Sequence, residues 1–193
     1  MGDMLEGLEV RSFVDVAVWE SWLDDHHADR GGVWIKIARK GSGIQSIDAA
    51  GGTEIALCFG WIDGQRRRLD EKHFLQKYTP RRPRSLWSRI NRDRAEALIA
   101  EGRMREPGLH QIAAAKADGR WERAYGSQRT STVPPDLEAA LGDSSAAAQV
   151  FEALGKTDRY LLILSLLKTR TAVDRRARLA RIIAQLERRE PKS

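Results

Sequence analysis

The chain of 193 residues contains only one cysteine, Cys58, and four histidines. A single thiol cannot form an intramolecular disulfide, and it excludes the zinc sites that several cysteines build. The adjacent His26 and His27 point to different faces of a predicted helix end, which makes them a poor metal pair. The patterns HExxH, GxGxxG and the P-loop are also missing. We therefore expect no metal, no cofactor and no nucleotide chemistry of a recognised type.

Long hydrophobic runs are missing as well. The longest strongly apolar stretch, Tyr160–Leu167, is too short to span a bilayer. The first residues do not combine a basic segment with an apolar stretch, so they predict no signal peptide. Apolar residues make up 41% of the chain, which is enough for a hydrophobic core. These features predict a cytoplasmic protein of one domain, or one domain with a helical appendage, and no membrane partner.

Positive charge is concentrated in two segments of the chain. Residues 65–94 carry a net charge of +8 and residues 168–193 a net charge of +6, whereas residues 1–64 carry −6 and residues 95–167 carry −2. Basic segments of this kind could bind a polyanion such as nucleic acid. The interpretation that we favour is a solvated surface with internal ion pairs to the acidic N-terminal part.

The N-terminal half predicts helices and strands in alternation. Apolar residues recur at helical spacing after Asp15, a residue suited to an N-cap, which predicts a helix over residues 16–27. Apolar and polar side chains alternate over residues 33–40, as is typical of a strand. Residues 46–60 predict a second helix. Residues 62–80 predict a β-hairpin that ends at Pro80, because proline cannot continue the strand pairing.

The C-terminal half is predicted to be helical. Helices over residues 85–102 and 106–119 precede a segment rich in Ser, Thr, Gly and Pro, which is the best candidate boundary. Four further helices are expected in the C-terminal segment. The one over residues 156–169 is largely apolar and is predicted to be a buried core helix, and the one over residues 172–190 is amphipathic.

This order of elements predicts an α+β protein. We expect a small antiparallel sheet with helices in residues 1–130, the part that contains the sequences GWID and PRRPRS. Residues 131–193 are predicted to form a C-terminal helical bundle packed on it.

Asp63 is the candidate catalytic residue. It follows Trp61 by two positions, so both side chains project from the same face of an extended segment. A carboxylate beside an indole loses hydration, which raises its pKa and suits a general acid or base. The alternative, which the residues alone favour, is that Asp63 begins an Asp–Gly turn. A nucleophilic pair of Cys58 and His73 has no support from the spacing.

The stretch YTPRRPRSLWS is the candidate binding segment. Its three arginines stand within four positions, and Ser85 and Ser88 precede helical turns. Guanidinium groups beside a helix N-terminus form an anion site, and Trp87 could supply an aromatic wall. The alternative is a structural corner in which Trp87 packs as core, and the sequence leaves the two equal. The arginines are Arg81, Arg82 and Arg84.

These segments together resemble the YdeI/OmpD-associated, or bacteriocin-protection, family. The resemblance rests on ALCFGWIDG, YTPRRPRSLWSRIN, AAAKADGRW and the closing helical segment, and it extends from about Trp19 to Leu186. The family pattern has no glycine pair in the helix before GWID, so Gly51 and Gly52 are expected to loosen this helix. The family has no established catalytic set, but the resemblance makes the GWID and PRRPRS segments the best prediction of a shared site.

The resulting hypothesis is a protective protein that binds a small toxic molecule or peptide in a pocket of Trp, Asp and Arg side chains. Its predicted ligand-binding residues are Trp34, Trp61, Arg81, Arg82, Arg84, Ser85, Trp87 and Asn91. A second hypothesis is a hydrolase or ring-opening enzyme with Asp63 as general acid or base. A third is a nucleic-acid-binding protein that uses the basic segments 66–94 and 168–189, the latter including Arg178 and Arg181.

Overall fold

The structure is a computed structural model that describes residues 3–29, 31–126, 131–169 and 171–189. The strands are β1 (Met4–Leu5), β2 (Leu8–Arg11), β3 (Val33–Ala38), β4 (Trp61–Arg68) and β5 (His73–Pro80). The helices are α1 (Val16–His26), α2 (Ala49–Cys58), α3 (Arg89–Ala100), α4 (Glu106–Ala117), α5 (Pro135–Gly142), α6 (Ser145–Ala153), α7 (Lys156–Leu167) and α8 (Ala172–Glu187). The predicted α+β class with C-terminal helices is confirmed.

The chain divides into two compact units. One comprises residues 1–87 and 91–123, and the other comprises residues 88–90 and 124–193. The five strands all belong to the first unit, whereas helices α5 to α8 belong to the second.

The first unit is built on a mixed sheet with the strand order β1-β2-β3-β5-β4. The hairpin of β4 and β5 is antiparallel, as predicted, and β5 also pairs with β3 in antiparallel orientation. Strand β2 pairs parallel to β3, so the sheet is not antiparallel throughout. The sequence does not predict β1 and β2, because strands of two and four residues are too short to show alternation.

The strand register decides which residues share a face of the sheet. Trp34 lies opposite Lys77, whereas Tyr78 lies opposite both Val33 and Asp63. Residues opposite each other in an antiparallel pair share a face, and successive residues of a strand alternate between faces. Trp34 therefore lies on one face of the sheet, and Asp63 and Tyr78 lie on the other.

Helices α1 and α2 cover the face that carries Tyr78. The ring of Trp19 in α1 lies 5.6 Å from that of Tyr78, and its indole nitrogen donates a hydrogen bond of 3.1 Å to the carbonyl of Gly52. A Cβ atom on Gly52 would lie 2.8 Å from the Tyr78 hydroxyl, and one on Gly51 would lie 2.8 Å from a methyl of Val16. The glycine pair makes room for this packing, and the expected loosening of α2 stays a prediction.

Asp63 lies inside strand β4, so the expected Asp–Gly turn is wrong. The ladder between β4 and β5 shifts register between Asp63 and Arg66, which is a β-bulge. The buried amide of Gln76 donates to the carbonyl of Gly64 at 3.0 Å and accepts from Arg66 Nε at 3.0 Å. The Gln76 side chain thus bonds to a backbone carbonyl and to a side chain of the bulged strand.

The second unit has a core of its own. Its buried residues come from α5 to α8 and are Leu137, Ala147, Val150, Phe151, Ile163, Leu166, Ile182 and Leu186. Helix α7 was expected to be a buried core helix, but only Ile163 and Leu166 of it are buried, and Leu161 is 54% exposed. The reason is that only one face of α7 meets the bundle core, although both faces are apolar.

Candidate functional site

An open depression of about 640 Å³ lies between the end of β2 and helix α1 of the first unit. Its apolar lining comes from Phe13, Ala17, Val18 and Trp22. Its polar lining includes Arg11, Asp15, Ser21 and Asp25. This surface, named the Trp22 depression below, combines an aromatic wall with a few polar groups, as ligand sites do.

Helix periodicity places the lining of the Trp22 depression on one side of α1. Asp15 caps the helix by accepting a hydrogen bond of 2.9 Å from the backbone N–H of Val18. Val18, Trp22 and Asp25 then follow at intervals of three or four residues, so their side chains lie along one stripe. A rigid helix therefore positions both the aromatic wall and the carboxylate.

Trp22 is held in place by other aromatic rings. Its ring stacks on His26 with centroids 4.3 Å apart and on Trp19 with centroids 5.3 Å apart, and it meets Trp61 edge to face at 6.0 Å. Its indole nitrogen is buried and has no hydrogen-bond partner among the described residues. The wall of the depression is thus preorganised before any ligand binds.

Some of the charged side chains around the Trp22 depression have partners, and one does not among the described residues. The Arg11 guanidinium lies 5.5 Å from the centre of the Trp22 ring, and its Nε lies 2.9 Å from the carboxylate of Glu9. Asp15 is engaged as the helix cap. Asp25 is exposed and forms no ion pair with the described residues. Among the described residues, the depression therefore offers a negative charge without an ion-pair partner beside an aromatic ring.

The three tryptophans predicted to line one pocket are all buried, with at most 1% of each exposed. Trp34 lies on the sheet face that carries Arg67 and Lys77, whose cationic groups are each 5.4 Å from its ring. Trp61 packs against the α1 aromatics, and its indole nitrogen donates to the carbonyl of His27 at 2.9 Å. The sheet thus separates Trp34 from Trp61.

Arg81 and Trp87 do come together, inside the first unit. Arg81 is 5% exposed, its guanidinium lies 3.6 Å from the centre of the Trp87 ring, and it donates to the carbonyl of Leu86 at 3.3 Å. Trp121 meets the same indole at 4.8 Å. Nearby, the buried Arg120 donates to the carbonyl of Ser85 at 2.6 Å. These contacts support the structural corner among the two sequence interpretations.

The remaining predicted residues are dispersed. Arg82 and Arg84 are exposed, and Arg84 has a left-handed backbone with φ of 67°. Asn91 is half-buried in α3. Asp63 is half-buried opposite Tyr78, and burial, together with the negative charge of Asp63, raises the pKa of Tyr78 to about 12. Asp63 does not line the Trp22 depression, and its catalytic role stays a prediction.

Other candidate chemistry finds little geometric support. Cys58 is buried, and burial raises its pKa to about 11. His73 lies 3.1 Å from the carboxylate of Asp70, its ion-pair partner. Among the described residues there is no group of three His, Cys, Asp or Glu side chains placed to hold a metal ion. Within the same ranges, no helix is long and apolar enough to cross a membrane.

In the sequence, Trp22 serves only as one of the apolar residues that predict helix α1, and the Trp22 depression was not predicted. Periodicity groups Trp22 with Trp19 and Leu23, but only the latter two are fully buried. A signal was present, because the stripe through Val18 and Trp22 ends at the acidic residue Asp25. Carboxylates at the edge of an apolar stripe mark where that stripe reaches solvent.

Comparison with known families divides the chain at about the same place as its two units. Residues 11–111 match the model of a family described as a domain of unknown function, DUF8412. Residues 130–189 match the family described as bacteriocin-protection, YdeI or OmpD-associated, which confirms the predicted resemblance for the C-terminal segment. No curated protein and no solved structure matches the chain. The chain therefore belongs to the DUF8412 family, and its residues 130–189 are similar to the YdeI/OmpD-associated family.

Proposed function

We propose that this protein binds an amphipathic cation, a small toxic molecule or a peptide, in the Trp22 depression and thereby serves a protective role. The observation that carries the proposal is the position of the Trp22 wall beside the Asp25 carboxylate, which has no ion-pair partner among the residues that the structure describes. The faces of the Trp22 ring are stacked by Trp19 and His26, so its half-buried edge offers apolar contact area. The carboxylate of Asp25 supplies the Coulomb attraction for a cation.

The size and the lining of the depression support ligand capture. Its volume of about 640 Å³ lies within the range of roughly 300–1,000 Å³ that is usual for small-molecule sites. Val18 is 45% exposed at its edge, which adds apolar surface for the body of an amphipathic ligand. The protective role draws on the description of the family that residues 130–189 match.

The charged groups favour capture over turnover. Asp15 is occupied as the α1 cap, and Arg11 is occupied by its ion pair with Glu9. Asp25 is the charged group of the lining that forms no ion pair within the described part of the chain. General acid–base catalysis of a hydrolysis needs positioned proton donors and acceptors around the reacting bond. A single carboxylate at the edge of an open depression supplies binding energy and selectivity for charge.

A charge-reversal pair tests the proposal. The probe is a short synthetic peptide of alternating Lys and Phe, with a Glu–Phe peptide of equal length as the ligand control, and binding is followed by tryptophan fluorescence. D25K should weaken binding of the Lys–Phe peptide about fivefold or more, since losing one favourable interaction of about 1 kcal/mol has this effect. D24K carries the same charge change on the next residue, which does not line the depression, and should retain most of the affinity.

Two results of this experiment would contradict the proposal. Equal losses in D25K and D24K would mean that the acidic helix attracts the peptide without a defined site. Wild-type protein that binds the Glu–Phe peptide as tightly as the Lys–Phe peptide would contradict the role of the carboxylate.

A further inference from the structure

A second depression, in the helical unit, has the opposite electrostatic character. It has a volume of about 270 Å³ and lies where the end of α7 meets α8. Its lining consists of Lys168, Arg178 and Arg181, with Ser165, Thr169 and Asp174. We name it the α7–α8 groove. It lies within residues 130–189, the segment that matches the bacteriocin-protection family.

The three cations of the α7–α8 groove are not neutralised by the described residues. Neither Lys168 nor Arg178 forms an ion pair there, and Arg181 donates only to the carbonyl of Ala177, at 3.2 Å on its own helix. The single acid of the lining, Asp174, accepts a hydrogen bond of 2.8 Å from the Thr171 hydroxyl in the α8 cap. Positive charge therefore predominates in a concave surface.

Arg175, on the same helix, differs from the arginines of the groove because it forms a structural ion pair. Its Nε and one terminal nitrogen donate to the two carboxylate oxygens of Asp136 at 2.7 and 2.9 Å, and both side chains are about one-third exposed. This bidentate pair joins α5 to α8. Arg178 and Arg181 follow within two turns but have no such partner in the described part of the chain.

The cations of the groove are not needed to cap α7. The backbone N–H of Lys168 donates to the carbonyl of Leu164 at 3.0 Å. Thr169 donates to the carbonyl of Leu166 through both its backbone N–H and its hydroxyl, at 3.2 and 2.6 Å. The carbonyls of Leu164 and Leu166 near the helix end are thus satisfied by the local backbone and by the Thr169 hydroxyl, without the Lys168 ammonium group.

Arg178 and Arg181 share a face of α8 because they are separated by three residues. The same stripe continues toward Arg188 at the helix end, whereas Arg176 projects from another side of the helix. The basic character of α8 is therefore not uniform around the helix. A concave cluster of guanidinium groups and an ammonium suits a compact, multiply charged oxyanion.

We propose that the α7–α8 groove binds a phosphate group, with Lys168, Arg178 and Arg181 as its ligands. The phosphate could belong to a small phosphorylated molecule or to a nucleic-acid backbone, and the chemistry recognised is the same in both cases. This site is separate from the Trp22 depression, which selects positive charge, so either proposal can fail without the other.

Pyrophosphate binding to the full-length protein, measured by isothermal titration calorimetry, tests the groove. R178Q/R181Q should weaken binding about tenfold or more, because it removes two of the three cationic donors that line the groove. R176Q/R188Q removes the same charge from the same helix, with Arg176 on another face and Arg188 beyond the lining, and should change the affinity less than about twofold. K168Q alone should also weaken binding, and it tests the contribution of the α7 side of the groove.

A fluorescent single-stranded oligonucleotide forms the second arm of the experiment, measured by anisotropy at increasing salt. Binding that depends on Arg178 and Arg181 with a steep salt slope assigns the groove to a polynucleotide backbone. Pyrophosphate binding without oligonucleotide binding assigns it to small phosphorylated ligands. Equal losses in both double variants, or wild-type protein that binds neither probe, would overturn the proposal. Circular dichroism melting of each variant distinguishes loss of binding from loss of fold.

Discussion

The guanidinium of Arg81 stacks on the indole of Trp87 at 3.6 Å, and both side chains are buried. Arg81, the first arginine of PRRPRS, is therefore part of the packing of the first unit and not a surface cation. Stacking of this kind depends on the planar guanidinium group, and the ammonium group of lysine does not reproduce it. The sequence segment that most resembles a binding motif thus includes structural residues.

R81K should therefore destabilise the protein by about 2 kcal/mol, since it removes the stacking and leaves a compact, strongly hydrated charge in a buried site. The measurement is urea unfolding followed by tryptophan fluorescence. R82K, on the exposed neighbour, is the control and should stay within about 0.5 kcal/mol of wild type. Equal stability of the two variants would show that the stacked geometry contributes nothing.

Gly108 lies where α4 crosses the end of α2 too closely for any side chain. A Cβ atom there would lie 2.3 Å from the carbonyl oxygen of Cys58 and 2.7 Å from that of Leu57. Both are backbone atoms, so the two helices must separate, and G108A should cost about 2 kcal/mol or more. G142A in helix α5 meets no atom within 4 Å and should stabilise by about 0.5 kcal/mol. If G108A is as stable as wild type, α4 does not approach the end of α2 as closely as described.

The ion pair of Asp136 and Arg175 predicts acid sensitivity. Hydrogen bonds from Arg175 lower the pKa of Asp136 below its ordinary value of 3.8. Because the folded pKa is the lower one, the stabilisation is complete above the ordinary pKa and is lost as the pH falls through the folded value. The side chains are about one-third exposed, so solvent screening limits the effect to about 1 kcal/mol or less.

Thermal unfolding of the protein and of D136N at a series of pH values measures this effect. D136N should be less stable than wild type near neutral pH, and the difference should shrink as the pH falls below about 4. D143N, at an exposed residue just after α5, serves as the matched control and should follow the wild-type curve. A D136N defect that stays constant down to acid pH would contradict the ion pair as its cause.

Cys58 should be unreactive in the folded protein. Burial keeps the thiol away from solvent and raises its pKa from an ordinary 9.0 to about 11. Thiolate is the nucleophile, so reaction with a thiol reagent near pH 8 should be slow in buffer and rapid in denaturant. The neutral thiol is the favoured form in the fold, so its contribution to stability falls as the pH rises from 9.0 to about 11. Rapid, complete labelling of the native protein would show that Cys58 is exposed.

The local elements of the fold could be predicted because their signals are local. Asp15 as a cap, the apolar spacing of α1 and the alternation in β4 and β5 all act within a few residues, and the structure contains each of them. Strands β1 and β2 are too short for such a signal. The Asp–Gly pair at Asp63 carries the composition of a turn, but pairing with β5 keeps it in a strand as a bulge.

The candidate site could not be predicted from the sequence for a different reason. Whether Trp34 and Trp61 share a face depends on the registers of β3 and β4 against β5, and these are fixed by contacts between residues far apart in the chain. Whether Arg81 is buried likewise depends on the contact between Trp87 and Trp121, which are far apart in the chain. Trp22 is the reverse case, because periodicity marks it as core while the open side of α1 leaves it half-buried.

The most direct test of the account follows the indole N–H signals of the six tryptophans by NMR during titration with the Lys–Phe peptide. Trp22 should show the largest shift, with smaller changes at the Trp19 and Trp61 rings that it contacts, and D25K should reduce all three. Trp34 and Trp87 should not move. A titration in which Trp22 is unchanged while Trp34 or Trp87 shifts would contradict the assignment of the Trp22 depression as the binding site.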